Sequence, residues 1–503
     1  MTLKKHQQNL TIALLYLAAC CYLILLVSST QPDIFYSGDG GLKFMAIKQI
    51  CAGEDFRYLS HTQPGWVNDI WAQGFFPIEE PFTMHGPKGY YFVFAPPFQI
   101  LSAVGYREFG YTGLYIIPFV SVLLLWYWFI RTARQLGFTA GKTALLFFLL
   151  AFCSPLTFYG AVYWEHSLAV LLLFGAIYFI QRPTRNPWRA AILGLMSGLA
   201  MWVRPEALLL NIFFGGAILL INYRKLYSAH WAFAGGVLAG TLSFLLFNKI
   251  EYGMFFGIHG SQVLGNLNYF AKLRKIAGNI YHINWLFIRY FSIILLLIPV
   301  LYAWLKLKWP LSAQTMALLL VIVAFCFSGP LIFPNDGGKQ WGPRFFLPLI
   351  PLTLLLLADI YTRWGPAIPP LSRKLLMTFT VLAIGYTFIL NTVIETRNLR
   401  NDNLKRILPA LDYVRADSGN AVVVNSDFVT MELAALYREK NFFLAQDTAG
   451  LKRLIPLLKK QGIDHFIYVN DDETPNGLDQ LLSAYQVHLV HKGNYQVGLF
   501  HVQ

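Results

Sequence analysis

Apolar runs long enough to cross a bilayer, which takes roughly 20 residues of helix, recur along the chain up to about Leu390. Beyond Glu395 the pattern becomes that of ordinary soluble sequence. Eleven spans are predicted: Thr11–Ser29, Thr112–Ile130, Thr143–Tyr159, Ser167–Gln181, Trp188–Val203, Ala207–Asn222, Trp231–Asn248, Trp285–Leu305, Ala313–Phe333, Phe345–Tyr361 and Leu375–Leu390. Lys4 and Lys5 precede the first, as in a signal peptide, but its length and the lack of a small-residue cleavage site predict a retained anchor.

The first two spans are separated by Gln31 to Tyr111, which carries its own pattern. From Gly41 to Ile50, apolar Leu42, Met45, Ala46 and Ile50 recur at helical spacing, with Lys43 and Lys48 elsewhere on the wheel. That predicts a short amphipathic helix in the membrane interface. "QPGWVNDIWAQGFFP" follows, and the spacing of Trp66, Trp71, Phe75 and Phe76 suits the headgroup level. "HGPKGYYFVFAPPFQILSAVG" is apolar but short and interrupted by Pro96 and Pro97, which predicts a re-entrant or half-span element.

After Glu395 helical and strand patterns alternate. "DNLKRILPALDYVRAD", "DFVTMELAALY" and "LKRLIPLLKKQGI" read as helices, "AVVVN" and "HFIYVN" as buried strands, and "YQVHLVHKG" with "YQVGLFHV" as a terminal hairpin. The expected architecture is an all-α polytopic membrane domain over residues 1–394, with 31–111 as a structured outer loop. A soluble, doubly wound α/β domain over 395–503 completes it. That domain has no Gly-rich phosphate loop and no GxSxG elbow, so no chemistry is assigned to it.

Composition agrees with the pattern: of 503 residues, 56% are hydrophobic and only 13% charged, and mean hydropathy is +0.48. The net charge of +14 does not indicate nucleic acid, because the basic residues are scattered over short loops. Alternate loops carry Lys4, Lys5; Arg131, Arg134, Lys142; Arg182, Arg185, Arg189; Arg224, Lys225; Lys306, Lys308; and Arg363, Arg373, Lys374, with no acid among them. By the positive-inside bias these loops and the N-terminus are cytoplasmic, and the opposite loops and the C-terminal domain are outside. The five cysteines lie mostly in or beside spans and indicate no disulfide framework.

The polar residues that need explaining fall on that outer side. Asp39 stands among three glycines just after the first span, "YWEHSL" holds Glu165 and His166, and "WVRPEALLL" holds Arg204 and Glu206. "EYGMFFGIHGSQ" carries Glu251 and His259, "PNDGGKQWGPRFFLPLIPL" carries Asp336, Lys339 and Arg344, and His85 and Lys88 lie before the second span. Each has a purely structural reading: Asp39 as a helix cap, Glu165 and His166 in headgroup contact, Arg204 and Glu206 satisfying each other, and Lys339 and Arg344 anchored to phospholipid phosphate. Their coincidence on one face instead predicts a single outward-facing polar cavity.

Taken in order, the first-loop acid, "KGYYFVFAPPF", "YWEHSLAVLL", "GLAMWVRPEALLL" and "WGPRFFLPLIPL" resemble the bacterial polytopic glycosyltransferases of the GT-C fold. That superfamily includes the protein O-mannosyltransferases and the aminoarabinose transferases of lipid A. The resemblance covers roughly Thr11 to Leu390, and it implies sugar transfer from a polyprenyl-phosphate donor to a lipid, glycan or protein acceptor at the outer face of a prokaryotic inner membrane. The family's first-loop acid corresponds to Asp39, although the second acid that many members carry beside it is missing from Gly38-Asp39-Gly40.

The residue types suit that chemistry independently of the family. An inverting transfer needs one base, Asp39, and cations for the lipid phosphate that leaves. Arg204, Lys339 and Arg344 are the available cations, and Arg344 is favoured for its bidentate fork. Glu206, His85 and Lys88 join them as expected substrate-binding residues. Glu165 and His166 suit orienting hydroxyls or holding a divalent cation, a possible cofactor for which two ligands are a thin set.

Three other readings compete with this one, among them a non-catalytic scaffold in which the C-terminal tail does the work. A flippase or transporter of lipid-linked sugar would carry charge near mid-membrane, and here the span interiors are nearly free of it. An oligosaccharide polymerase or ligase would take a lipid-diphosphate glycan as donor.

Overall fold

The computed structural model describes residues 2–55, 57–59, 64–86, 89–258, 269–333, 339–471 and 478–502. The described chain divides into two compact units. One is formed by Met1–Val27 and Ile117–Thr396, the other by Ser28–Ile116 and Arg397–Gln503.

The first unit is helical. Each of the eleven apolar segments forms helix, and among the described residues five helices are long and apolar enough to cross a membrane: those beginning at Asn9, Ile116, Ser228, Ala313 and Pro370. A sixth results if Ala271–Tyr290 and Ser292–Leu305 are one span, but they meet at a 96° bend. Ala140–Phe152, His166–Gln181 and Ala207–Asn222 are shorter apolar helices. The expected third span runs past Phe152 only as turns and the 3-10 segment Phe158–Gly160.

Helices Pro187–Val203 and Ser228–Tyr252 pack at backbone contact. Gly194 and Gly198 on one face Gly236 and Gly240 on the other, so small residues four apart on both helices let the main chains touch. A Cβ on Gly198 would stand 2.4 Å from the Val237 carbonyl oxygen. Between Pro187–Val203 and Ala207–Asn222 the buried Ser197 hydroxyl donates to Asn211 Oδ1 at 2.5 Å, and Asn211 returns its amide to the Ser197 carbonyl at 2.9 Å.

The second unit joins the outer loop to the C-terminal domain. That domain holds a five-stranded sheet in the order Asn441–Leu444, Ala421–Val424, His465–Asn470, Tyr495–His501, Val490–Lys492. The first three strands run parallel and the last two form the antiparallel hairpin that the sequence predicts. Asn441–Leu444 is the strand the sequence reading lacks, a run of four residues too short to show a period.

Three expectations for the outer loop are corrected. The helix Gly38–Cys51 does not lie in an interface with one wet face; Gly38, Gly40, Leu42, Phe44, Ile47 and even Lys43 are buried. It packs on the C-terminal helix Asp427–Glu432, and the approach is so close that a Cβ on Gly41 would stand 1.8 Å from the Met431 carbonyl oxygen. The loop aromatics face protein rather than headgroups. Trp71 is buried and donates its indole N–H to the Phe442 carbonyl at 2.9 Å, and Trp66 stacks on Phe443. An indole needs an apolar body contact and one acceptor, and the domain supplies both as readily as a headgroup layer would.

The third correction concerns the segment from His85. It is not one re-entrant element but a hairpin, Thr83–Gly86 against Gly89–Phe92, extended by Tyr58–Leu59 and followed by the helix Pro97–Phe109. Ion pairs link the two parts of this unit: Arg415 Nη2 to Asp33 at 2.9 Å and Arg438 Nη2 to Glu54 at 2.6 Å.

Candidate functional site

In the first unit, three chain breaks in the helical pattern bring polar groups together. Glu165 is the residue immediately before helix His166–Gln181, Arg204 follows helix Pro187–Val203, and Glu206 precedes helix Ala207–Asn222. Pro205 explains the second break, since it cannot continue the preceding helix and suits the start of the next. Arg344 opens the 3-10 turn Arg344–Phe346 ahead of helix Leu349–Trp364.

Arg204 is the hinge of the cluster. Its Nη1 donates to Glu165 Oε1 at 3.2 Å and its Nη2 to Glu206 Oε1 at 2.7 Å. All three side chains are nearly enclosed, with 12% of Arg204, 4% of Glu165 and 7% of Glu206 exposed. In such surroundings an ion pair is weakly screened, so the guanidinium fixes both carboxylates in place.

Arg344 is half-buried and lies over two rings, with its guanidinium carbon 5.2 Å from the Trp164 centroid and 5.3 Å from that of Phe345. Arg204 also lies over Phe345, at 5.2 Å. His166 is buried beside Tyr159 and Trp164, whose centroids are 5.3 and 5.2 Å from its own. His166, Arg204, Glu206 and Arg344 line an open pocket of about 340 Å³, solvent at the mouth included, walled by Val170, Leu210, Phe325 and Pro348. Such a pocket, with two guanidinium groups, one carboxylate, an imidazole and aromatic walls, offers an anion a cationic partner and offers hydroxyls both donors and acceptors.

Of the residues singled out in the sequence, the structure therefore gathers Glu165, His166, Arg204, Glu206 and Arg344. Lys339, half-buried, lies in the bend before Arg344. Asp39 and His85 belong to the second unit. Asp39 is half-buried in the first turn of helix Gly38–Cys51, after Ser37 at its N-cap. His85 is exposed on its strand, its ring 4.9 Å from that of Tyr90. Lys88, His259 and Asp336 lie outside the described residues. Among the described residues no group of three His, Cys, Asp or Glu side chains is placed to hold a metal ion.

Two residues escaped the sequence reading. Lys43, one turn after Asp39, is 2% exposed, with its ammonium 4.0 Å from the Phe94 centroid; its signal was the helical spacing itself, read as placing it on the wet face. Glu395, taken as the first residue of soluble sequence, is wholly buried; its signal was an acid directly after an apolar run.

No protein-family profile and no curated protein sequence matches the chain. Solved structures do. The chain is similar to ArnT from Cupriavidus metallidurans bound to undecaprenyl phosphate, with a TM-score of 0.57 and 11% identity over 97% of each chain. The apo state of the same protein matches with a TM-score of 0.55 and 12% identity, again over 97% of each. At this identity the likeness is one of backbone architecture, and the chain has the ArnT-like GT-C fold, with several apolar helices and a small C-terminal sheet domain.

Proposed function

We propose that this protein is an integral-membrane glycosyltransferase that moves a sugar from a polyprenyl-phosphate-linked donor to an acceptor on the outer face of the inner membrane. The observation that carries the reading is the likeness in fold, over 97% of both chains, to a protein whose structure holds undecaprenyl phosphate. The pocket beside Arg204 and Arg344 supports it, because a lipid phosphate needs a guanidinium fork among apolar walls.

In the proposed reaction an acceptor hydroxyl oxygen attacks the anomeric carbon while the bond from that carbon to the phosphate oxygen breaks, with inversion. Asp39 takes the hydroxyl proton, and the polyprenyl phosphate leaves with the bonding pair. Arg344, with Lys339, holds the charge that develops on the phosphate. Arg204 orients Glu165 and Glu206, which with His166 accept and donate to sugar hydroxyls. His85 and Lys88 contribute to substrate binding from the outer loop.

The test compares wild type with Asp39→Asn in detergent, each offered a panel of polyprenyl-phosphate sugars and a membrane lipid extract, with free polyprenyl phosphate followed by mass spectrometry. Release by wild type and none by a folded Asp39→Asn is the expected result. Equal release by both removes Asp39 as the base. No release from any donor by either removes the lipid-monophosphate reading and leaves the diphosphate-glycan and transport readings.

A further inference from the structure

The last apolar helix, Pro370–Phe388, passes into a π turn, Ile389–Ile394, and Glu395 is the next residue. Glu395 is 0% exposed, and among the described residues neither of its carboxyl oxygens has a hydrogen-bond partner. Four residues earlier, on the same helical face, Asn391 is also buried. Its Nδ2 donates to the Tyr290 and Thr387 carbonyls, each at 2.9 Å, which leaves its Oδ1 without a partner among the described residues. Tyr159, wholly buried, is within electrostatic reach of Glu395. The turn itself is pinned from the first helix, where Tyr22 Oη donates to the Thr392 carbonyl at 3.1 Å and lies 3.0 Å from Thr396 Oγ1.

A bare carboxylate in such surroundings is too costly to persist, so it holds either a proton or a cation. The unpartnered atoms of Glu395 and Asn391 are all oxygens, one pair anionic and one neutral, the kind of donor a hard cation takes. One negative charge balances one positive charge, whereas a divalent ion would leave a net charge buried. The π turn adds to the argument, because such turns are concentrated at functional sites and irregular backbone inside membrane proteins supplies carbonyl ligands to sodium.

We propose that Glu395 and Asn391, joined by the hydroxyl of Tyr159, bind a small monovalent cation, sodium, at the end of the last apolar helix. Tyr159 stacks on Trp164 with centroids 5.6 Å apart, and Trp164 carries Arg344 over its ring. The cation would therefore tie that helix to the wall of the polar pocket. This inference does not depend on the proposed reaction.

The test is thermal melting of the full chain in detergent as sodium chloride replaces N-methylglucamine chloride at constant ionic strength, with radiosodium retention measured alongside. Wild type is expected to melt at a temperature that rises saturably with sodium and to retain radiosodium, and Glu395→Gln to do neither. A wild-type melting temperature that ignores sodium, or responds to pH alone as a simply protonated carboxyl would, overturns the proposal. So does a Glu395→Gln variant that responds like wild type. Should Glu395→Gln fail to fold, Asn391→Ala is expected to weaken the apparent sodium affinity about tenfold, the loss of one ligand. An unchanged affinity in that variant also overturns the site.

Discussion

Arg204 Nη2 lies 2.7 Å from Glu206 Oε1, two residues along the chain, across the break between two membrane-unit helices. The same guanidinium reaches Glu165, so it pairs with two enclosed carboxylates. Replacing Arg204 with methionine removes this paired charge from beside both of them. The expected loss is about 3–5 kcal/mol, typical of a broken buried pair, and the melting temperature in detergent should fall accordingly. Glu206→Gln, which keeps the shape and removes one charge, is expected to cost less than Arg204→Met.

Arg344 gives a kinetic prediction. If it holds the donor phosphate, Arg344→Gln loses a charge-assisted contact and raises the KM for the polyprenyl-phosphate donor about 10- to 100-fold. Arg344→Lys keeps the charge but not the fork and is expected to recover only part of this. Donor titrations of the release assay, with folding checked by melting, measure both.

The Asp427 carboxyl is pushed up to about 6, chiefly by burial and secondarily by the charge of Glu79. Below its ordinary value of 3.8 the folded and unfolded chains both hold the proton, and the full stability is present. Between there and about pH 6 the unfolded chain releases the proton first, so stability falls as pH rises, by on the order of 3 kcal/mol in all. Asp427→Asn should remove that slope. Melting curves of wild type and variant across this range give the difference directly.

Gly198 tests the packing of the membrane unit. Any side chain there meets the Val237 carbonyl, so Gly198→Leu must separate helices Pro187–Val203 and Ser228–Tyr252. A loss of about 1–3 kcal/mol or more is expected, read as a lower melting temperature, while a leucine at Gly215, where nothing stands within 4 Å of an added Cβ, should be tolerated.

The sequence by itself determined what depends on local pattern. Apolar runs over Ala207–Asn222 or Ala313–Ile332 can only be helices where no water reaches the backbone, and the alternation over Tyr495–His501 can only be a half-buried strand. Residue type also carried information: of the polar residues singled out along the chain, Glu165, His166, Arg204, Glu206 and Arg344 are brought together by the structure. Tertiary structure decided what depends on partners far along the chain. Lys43 looks like the wet face of an amphipathic helix until helix Asp427–Glu432 is packed nearby, and Trp71 looks like a headgroup anchor until the Phe442 carbonyl meets it. Glu395 looks like the first soluble residue until the fold closes over it. Periodicity reports that a face is apolar or polar, but the burial of a lysine or a glutamate is set by which distant segment covers it, and no local window contains that segment.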